Sequence, residues 1–172
     1  PNTVAGAQKA LTARGVDIIN VHAVGGPKML QAARAAVTEQ AAALKIQAPR
    51  LIAVTILTSM DAAQFAALNY KNTIPEQVVA LARLARECGL DGVVASPLEA
   101  AAIRQACGPD FLIVTPGVRP AGAAQGDQSR VATPAGAIKN GASHIVVGRP
   151  ITQAADKKAA AAAIVAEIRN VK

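Results

Sequence analysis

Short apolar runs alternate with amphipathic stretches along the whole chain. Five near-continuous apolar runs predict strands at residues 16–23, 50–58, 90–96, 110–116 and 143–149. None of them alternates cleanly between apolar and polar positions, which is typical of parallel strands covered on both faces.

The stretches between these runs have the apolar spacing of helices. They span residues 4–14, 27–44, 62–68, 75–88, 98–106, 134–140 and 156–170. A glycine stands between a helix and the next strand in four places, where a left-handed residue ends a helix: Gly15, Gly89, Gly108 and Gly141. One helix followed by five strand-helix units predicts either a doubly wound sheet or a (β/α) barrel.

Length and composition favour one compact soluble domain. The chain has 172 residues, of which 52% are apolar and 17% charged. No apolar run is long enough to cross a bilayer and no signal-like segment opens the chain, so we expect no membrane association. Cys88 and Cys107 lack metal-type spacing. They are typical of small core or near-surface thiols in a reducing, cytoplasmic compartment.

The charge pattern indicates a small anionic ligand. The net charge is +7, but the 18 Lys and Arg residues are scattered and aromatic residues make up only 2%. A nucleic-acid interface would need a basic stripe and aromatic stacking platforms, so we expect none. A few placed basic groups that hold an anion fit the pattern better.

Two consecutive loops carry the residue types that bind phosphate. TPGVRPAGAAQGDQSR (115–130) follows the fourth strand, and VGRPIT (147–152) follows the fifth. In barrels, the loops after the last two strands often bind phosphate, since glycine admits backbone N–H groups and Arg supplies paired donors. A single such loop could be an ordinary surface connection, but two in succession favour phosphate. If these two strands are the last two of an eight-stranded barrel, three of its strands precede Pro1.

Four other polar residues have a structural interpretation. His22 ends the first strand without a paired Glu or His nearby, so structural hydrogen bonding is favoured over catalysis. Asp61 fits a helix N-cap. Asp17 and Asp91 precede strands, at the end of a barrel that serves stability.

The apolar runs and both loops together resemble the C-terminal two thirds of bacterial orotidine 5′-phosphate decarboxylases, from Pro1 to Lys172. The most specific part is TPGVRP to GDQ followed by VGRPIT. The opening PNT matches the end of the family signature Asp-x-Lys-x-x-Asp-Ile-Pro-Asn-Thr. The resemblance therefore implies one (β/α)8 TIM-barrel domain, incomplete at its N-terminus, with strands four to eight present and the catalytic residues before Pro1.

The resemblance also implies which residues contact the substrate. Those for the 5′-phosphate would be Arg119, Gln128, Gly148 and Arg149. Those for the pyrimidine, the ribose and the cavity wall would be Thr58, Ser59, Pro116 and Val118. The substrate contacts that match the end of the signature would be Pro1, Asn2 and Thr3. Thr3 would approach the nucleotide across a dimer interface.

The implied function is conversion of orotidine 5′-phosphate to UMP and CO₂ in pyrimidine biosynthesis, by a cytoplasmic homodimer without metal or organic cofactor. Loss of CO₂ leaves a carbanion at C6 that no π-system absorbs, so preorganised charges and a positioned proton donor must act. The resemblance implies that a Lys of the signature is this donor. Lys28, Lys45 and Lys71 lie outside the signature. We therefore expect the 172 residues alone to be inactive.

Two alternatives stay open at this point. One is a related phosphosugar enzyme such as keto-gulonate phosphate decarboxylase, which uses Mg²⁺ and acidic ligands. The other is an inactive phosphate-binding barrel fragment.

Overall fold

The structure is a computed structural model that describes residues 1–120 and 132–171. Its helices are α1 (Asn2–Thr12), α2 (Gly26–Leu44), α3 (Ala62–Ala67), α4 (Ile74–Glu87), α5 (Ala100–Cys107), α6 (Pro134–Lys139), α7 (Arg149–Thr152) and α8 (Lys157–Arg169). Its strands are β1 (Ile18–His22), β2 (Arg50–Val54), β3 (Gly92–Val94), β4 (Leu112–Thr115) and β5 (His144–Ile145). None of the helices in the described ranges is long and apolar enough to span a membrane.

The five strands form one parallel sheet in the order β1-β2-β3-β4-β5. Each strand therefore pairs with its neighbour in sequence. A doubly wound sheet reverses direction at a switch point, whereas a (β/α) barrel adds each strand beside the last. The observed order thus selects the barrel from the two architectures that the sequence left open.

One face of the sheet carries the core. Leu51, Ala53, Val93 and Ile113 pack in a single buried cluster with residues of α2, α4 and α5. Successive strand residues point to opposite faces, so the residues between them point away from these helices. This second face is buried at the central strands, with Ile52 2% and Val114 9% exposed, and open at the outer strand β1, where Ile18 is 40% exposed.

The prediction that both faces are covered is therefore met at the central strands and not at the outer strands β1 and β5. In the described residues, helices pack on one face, and five parallel strands do not close around the other. The strands are also shorter than predicted, most of all β5, which pairs only at His144 and Ile145. Residues 56–58 and 147–148 lie in loops at its carboxyl end, and Arg149 already belongs to α7.

The helix ends follow the sequence closely. The four glycines at the predicted helix stops all have positive φ, namely Gly15 (71°), Gly89 (79°), Gly108 (87°) and Gly141 (97°). Asp61 caps α3, because its side chain accepts a hydrogen bond from the Gln64 backbone N–H at 2.8 Å. The predicted N-cap is thus confirmed. Cys88 and Cys107 are free thiols and both are buried, so of the core and near-surface positions that the sequence left open the structure has the core position.

Two charged side chains, Asp91 and Arg104, connect several elements at the amino end of the sheet. The Asp91 carboxylate accepts hydrogen bonds from the Leu51 backbone N–H at 2.7 Å and from the Arg34 guanidinium. Arg50 approaches the same carboxylate at 3.4 Å. Asp91 therefore joins β2, β3 and α2, in line with the structural role predicted for it.

Arg104 on α5 serves the same end of the sheet. Its Nη1 donates to the carbonyl oxygens of Gly108, Pro109 and Phe111 at 2.7–2.8 Å. Its Nη2 donates to the Gly141 carbonyl at 2.9 Å and to Ser143 Oγ at 3.0 Å. One side chain thus fixes the turns that lead into β4 and β5.

Candidate functional site

The carboxyl ends of β2, β3 and β4 enclose a cavity of about 170 Å³. Its walls come from the last residues of two strands and the loops that follow: Val54, Ile56, Leu57, Thr58, Ser59, Val94, Ala95 and Pro116. Thr58, Ser59 and Pro116 are among the predicted substrate contacts. The structure therefore brings three of them together around one space.

Backbone hydrogen bonds fix the walls of this cavity. The Thr55 N–H donates to the Val94 carbonyl at 3.0 Å, and its hydroxyl donates to the same oxygen at 2.8 Å. Ala95 N–H donates to the Val114 carbonyl at 3.1 Å. These bonds continue the pairing of the sheet one residue beyond the strands, so the cavity is built on rigid backbone.

Thr58 and Ser59 lie in a short turn between β2 and α3. The turn is closed by a hydrogen bond from Met60 N–H to the Leu57 carbonyl at 3.0 Å, and α3 begins directly afterwards at its Asp61 cap. Thr58 is buried and Ser59 is exposed. The two residues therefore differ in exposure, although both line the cavity.

The predicted phosphate residues follow β4 and β5. Arg119 is only 8% exposed, its backbone N–H donates to the Ala132 carbonyl at 2.9 Å, and its Nη1 donates to the Val118 carbonyl at 2.8 Å. Val118 and Ala132 form an isolated parallel bridge, which ties the segment after β4 to the one before α6. Hydrogen bonds thus fix both the backbone and the guanidinium of Arg119.

Gly148 and Arg149 form the start of the short helix α7. The Gly148 carbonyl accepts hydrogen bonds from Ile151 N–H at 2.9 Å and Thr152 N–H at 3.0 Å. A Cβ built on Gly148 would meet nothing within 4 Å, and Arg149 is exposed. There is accordingly open space beside this turn on the carboxyl side of β5.

The remaining predicted contacts lie elsewhere. Val118 is fully buried in a small cluster with Ala137 and Ala142, away from the cavity lining. Pro1 is the N-cap of α1, and Asn2 and Thr3 are its exposed first residues. These four residues do not line the cavity beside β2 and β3. Gln128 lies outside the described residues.

The sequence did not single out the apolar part of the cavity wall. Val54 and Val94 were read only as strand residues, although the last residue of a barrel strand is where ligand contacts concentrate. Glu99 was also missed. It is 5% exposed and stands directly before α5, so it brings a buried carboxylate to the same end of the sheet as Arg119.

A larger cavity of about 420 Å³ opens at the amino end of the sheet. It is lined by residues 15–18 and 46–50, with Thr12, Leu112 and His144. None of the predicted substrate contacts lies there. Across residues 1–120 and 132–171, no three His, Cys, Asp or Glu side chains come together as metal ligands.

A family model described as orotidine 5′-phosphate decarboxylase / HUMPS family matches residues 1–164. Among curated proteins, the chain is 62% identical to an orotidine 5′-phosphate decarboxylase from Moorella thermoacetica, over all of this chain and 69% of the relative. It is 55% identical to one from Trichlorobacter lovleyi, over 98% of this chain and 69% of that protein.

Solved structures agree with the sequence relatives. The chain matches an orotidine 5′-phosphate decarboxylase from Lactobacillus acidophilus with a TM-score of 0.83 and 42% identity, over 98% of this chain and 70% of the other. It matches one from Pyrococcus horikoshii with a TM-score of 0.68 and 28% identity, over 99% and 70%. These neighbours are TIM barrels, so the parallel five-stranded sheet with its helices has the α/β fold of part of such a barrel. From its family match, its close relatives and its fold, the chain belongs to the orotidine 5′-phosphate decarboxylase / HUMPS family.

Proposed function

We propose that orotidine 5′-phosphate and its product UMP lie across the carboxyl ends of β2 to β5, with the base toward the 170 Å³ cavity and the phosphate toward Arg119, Gly148 and Arg149. The activity is that of orotidine 5′-phosphate decarboxylase, a carboxy-lyase, as the family and the names of the relatives indicate. These names do not favour the phosphosugar alternative.

The observation that carries this placement is the grouping of Thr58, Ser59 and Pro116 around one cavity. All three are residues that the family resemblance implies as substrate contacts. Hydroxyls beside apolar walls suit a pyrimidine, which has polar edges and flat apolar faces. Val54 and Val94 supply the apolar walls, so the base can be held without contact to bulk water on that side.

The phosphate is proposed to bind at the ends of the next two strands. Arg149 is exposed beside open space at Gly148, and an Arg guanidinium can donate two parallel hydrogen bonds to phosphate oxygens. Arg119 follows the neighbouring strand β4. Gln128 remains a predicted contact outside the described residues. Phosphate held here is remote from C6, so its binding energy orients the base rather than supplying the proton.

The test is UMP binding measured by calorimetry, with Arg149→Ala and, as a matched control, Arg169→Ala in the last turn of α8. Arg149→Ala should weaken UMP binding about tenfold to a hundredfold, because one charge-assisted contact is lost. It should leave the affinity for uridine unchanged, since uridine has no phosphate. Equal affinity of wild type and Arg149→Ala for UMP would contradict this placement.

We also propose a homodimer whose interface lies at the ligand end. Val24, Leu57 and Leu98 follow β1, β2 and β3 and are 54%, 48% and 55% exposed. Large apolar side chains exposed at one end of a sheet are typical of an interaction surface. Thr3 would then approach the partner's nucleotide. Sedimentation equilibrium should give twice the protomer mass, and a monomer at micromolar concentration would contradict the proposal.

Two further expectations belong to this function. Buried free thiols at Cys88 and Cys107 are consistent with a cytoplasmic location. The expectation that the 172 residues alone do not turn over stays a prediction. Its test is decarboxylation of orotidine 5′-phosphate by a chain of verified mass, and measurable turnover would contradict it.

A further inference from the structure

We propose that His22 forms the β1-side wall of the nucleotide site and hydrogen-bonds the base part of the bound nucleotide. The inference rests on the proposed function, because it needs a nucleotide at the ends of β2 and β3. It adds a contact that the phosphate residues and the Thr58 turn do not supply.

Register places His22 beside the cavity. His22 is the last residue of β1 and pairs with Val54, which in turn pairs with Val94. Directly paired residues of neighbouring parallel strands point to the same face of a sheet. Val54 and Val94 both line the 170 Å³ cavity. The imidazole therefore stands on the same face, one strand further along.

The imidazole is also available to a ligand. His22 is exposed, whereas Val21 and Ala23 on either side are buried. Within residues 1–120 and 132–171, no hydrogen bond or ion pair uses its ring nitrogens. The structural hydrogen bond that the sequence favoured is thus absent from the described part of the chain, and both nitrogens can meet a ligand.

Strand order indicates which part of the nucleotide His22 meets. The basic residues proposed for phosphate follow β4 and β5, the cavity lies between β2 and β4, and β1 is on the far side of it. A nucleotide whose phosphate lies at β4 and β5 therefore points its base toward β1. An imidazole can donate to, or accept from, the polar edge of a pyrimidine.

The chain contains a matched internal control. It has two histidines, and His144 pairs with Val114, in the same register row that leads through Val94 and Val54 to His22. His22 closes β1 at the carboxyl end of the sheet, whereas His144 opens β5 and lines the cavity at the amino end. The two imidazoles thus share a face of the sheet but not the site.

The first experiment follows the imidazole resonances of the purified protein by ¹H–¹⁵N correlation NMR during titration with UMP. The His22 signals should shift and saturate with UMP, and the His144 signals should stay in place. Ribose 5-phosphate, which lacks the base, should leave His22 unmoved. A His22 signal that does not respond to saturating UMP would overturn the inference.

The second experiment compares His22→Ala with His144→Ala by calorimetry. His22→Ala should weaken UMP binding about twofold to tenfold, the effect of one hydrogen bond, and should not change binding of ribose 5-phosphate. His144→Ala should bind UMP as wild type does. If wild type binds UMP and His22→Ala binds it with the same affinity, this inference is wrong and the proposed function is unaffected. No binding of UMP by wild type would instead remove the proposed function itself.

Discussion

The two ends of the sheet differ in how several of their polar side chains are placed. At the amino end, Asp91 and Arg104 are bonded to backbone groups of several elements. At the carboxyl end, Arg149 and His22 are exposed beside a cavity and open space. The same strands thus end in groups that stabilise the protein on one side and in groups that can bind a ligand on the other. This is the division expected of a barrel.

The largest loss of stability should come from adding a side chain at Gly92, the first residue of β3. A Cβ on Gly92 would lie 2.3 Å from the Leu112 carbonyl oxygen, so β3 and β4 would have to separate. Gly92→Val should lower the free energy of unfolding by about 3 kcal/mol or more. Urea denaturation measures the loss, with Gly6→Ala in α1 as the control.

The control should change stability in the opposite direction. Gly6 has nothing within 4 Å of a built Cβ and lies inside a helix, so Gly6→Ala should gain about 0.5–1 kcal/mol. If Gly92→Val were as stable as wild type, the close approach of β3 and β4 would not be a constraint on this fold.

Removing Arg104 should have the next largest effect. Arg104→Ala removes the guanidinium donor from four carbonyl oxygens and from Ser143 Oγ, and should cost about 2–4 kcal/mol of stability. UMP affinity of the folded variant should match wild type, because these bonds lie at the amino end. Arg83→Ala on α4, an exposed Arg, should change stability by less than about 0.5 kcal/mol. A large loss of UMP affinity in Arg104→Ala would mean that the two ends are coupled.

The smallest effect is a pH dependence at the start of α4. Glu76 accepts hydrogen bonds from the backbone N–H and hydroxyl of Thr73 at 2.8 and 2.7 Å, and these bonds lower the pKa of its carboxyl, the backbone bond most. A carboxylate with a lowered pKa stabilises the folded state at neutral pH, and this stabilisation is lost as the pH falls through its folded-state pKa.

Thermal unfolding of wild type and Glu76→Gln at several pH values would measure this. Wild type should be slightly more stable at pH 7, and the difference should vanish in acid. A difference that stayed constant down to low pH would show that the charge of Glu76 does not matter. UMP affinity should be the same in both proteins at pH 7.

Much of the fold could be predicted from local sequence. Gly15, Gly89, Gly108 and Gly141 mark where helices end, because a positive φ is a property of the residue itself. Apolar runs located all five strands. Their lengths were overestimated, since the apolar residues Ile56 and Leu57 continue the run into the loop after β2, where they line the cavity instead of pairing.

Contacts between residues far apart in the chain could not be predicted from the sequence. Arg104 bonds to residues up to 39 positions away, and nothing in RQACGPD indicates that its partners include Ser143. Thr58, Ser59 and Pro116 were predicted from a family resemblance, whereas their meeting around one cavity depends on the register of β2 to β4. The resemblance likewise could not show that Val118 is packed against Ala137 and Ala142.

The two cysteines can report how often helices α4 and α5 move away from the sheet, since Cys88 follows α4 and Cys107 ends α5. Burial raises the pKa of the Cys88 thiol, and the charge of Glu87 adds to this. Burial also raises the pKa of Cys107, although Arg86, Arg83 and Arg104 partly oppose it. Only the thiolate reacts with labelling reagents, so the closed protein should react slowly. Mass spectrometry of thiol labelling would therefore count how often α4 and α5 lift from the sheet, without any engineered probe.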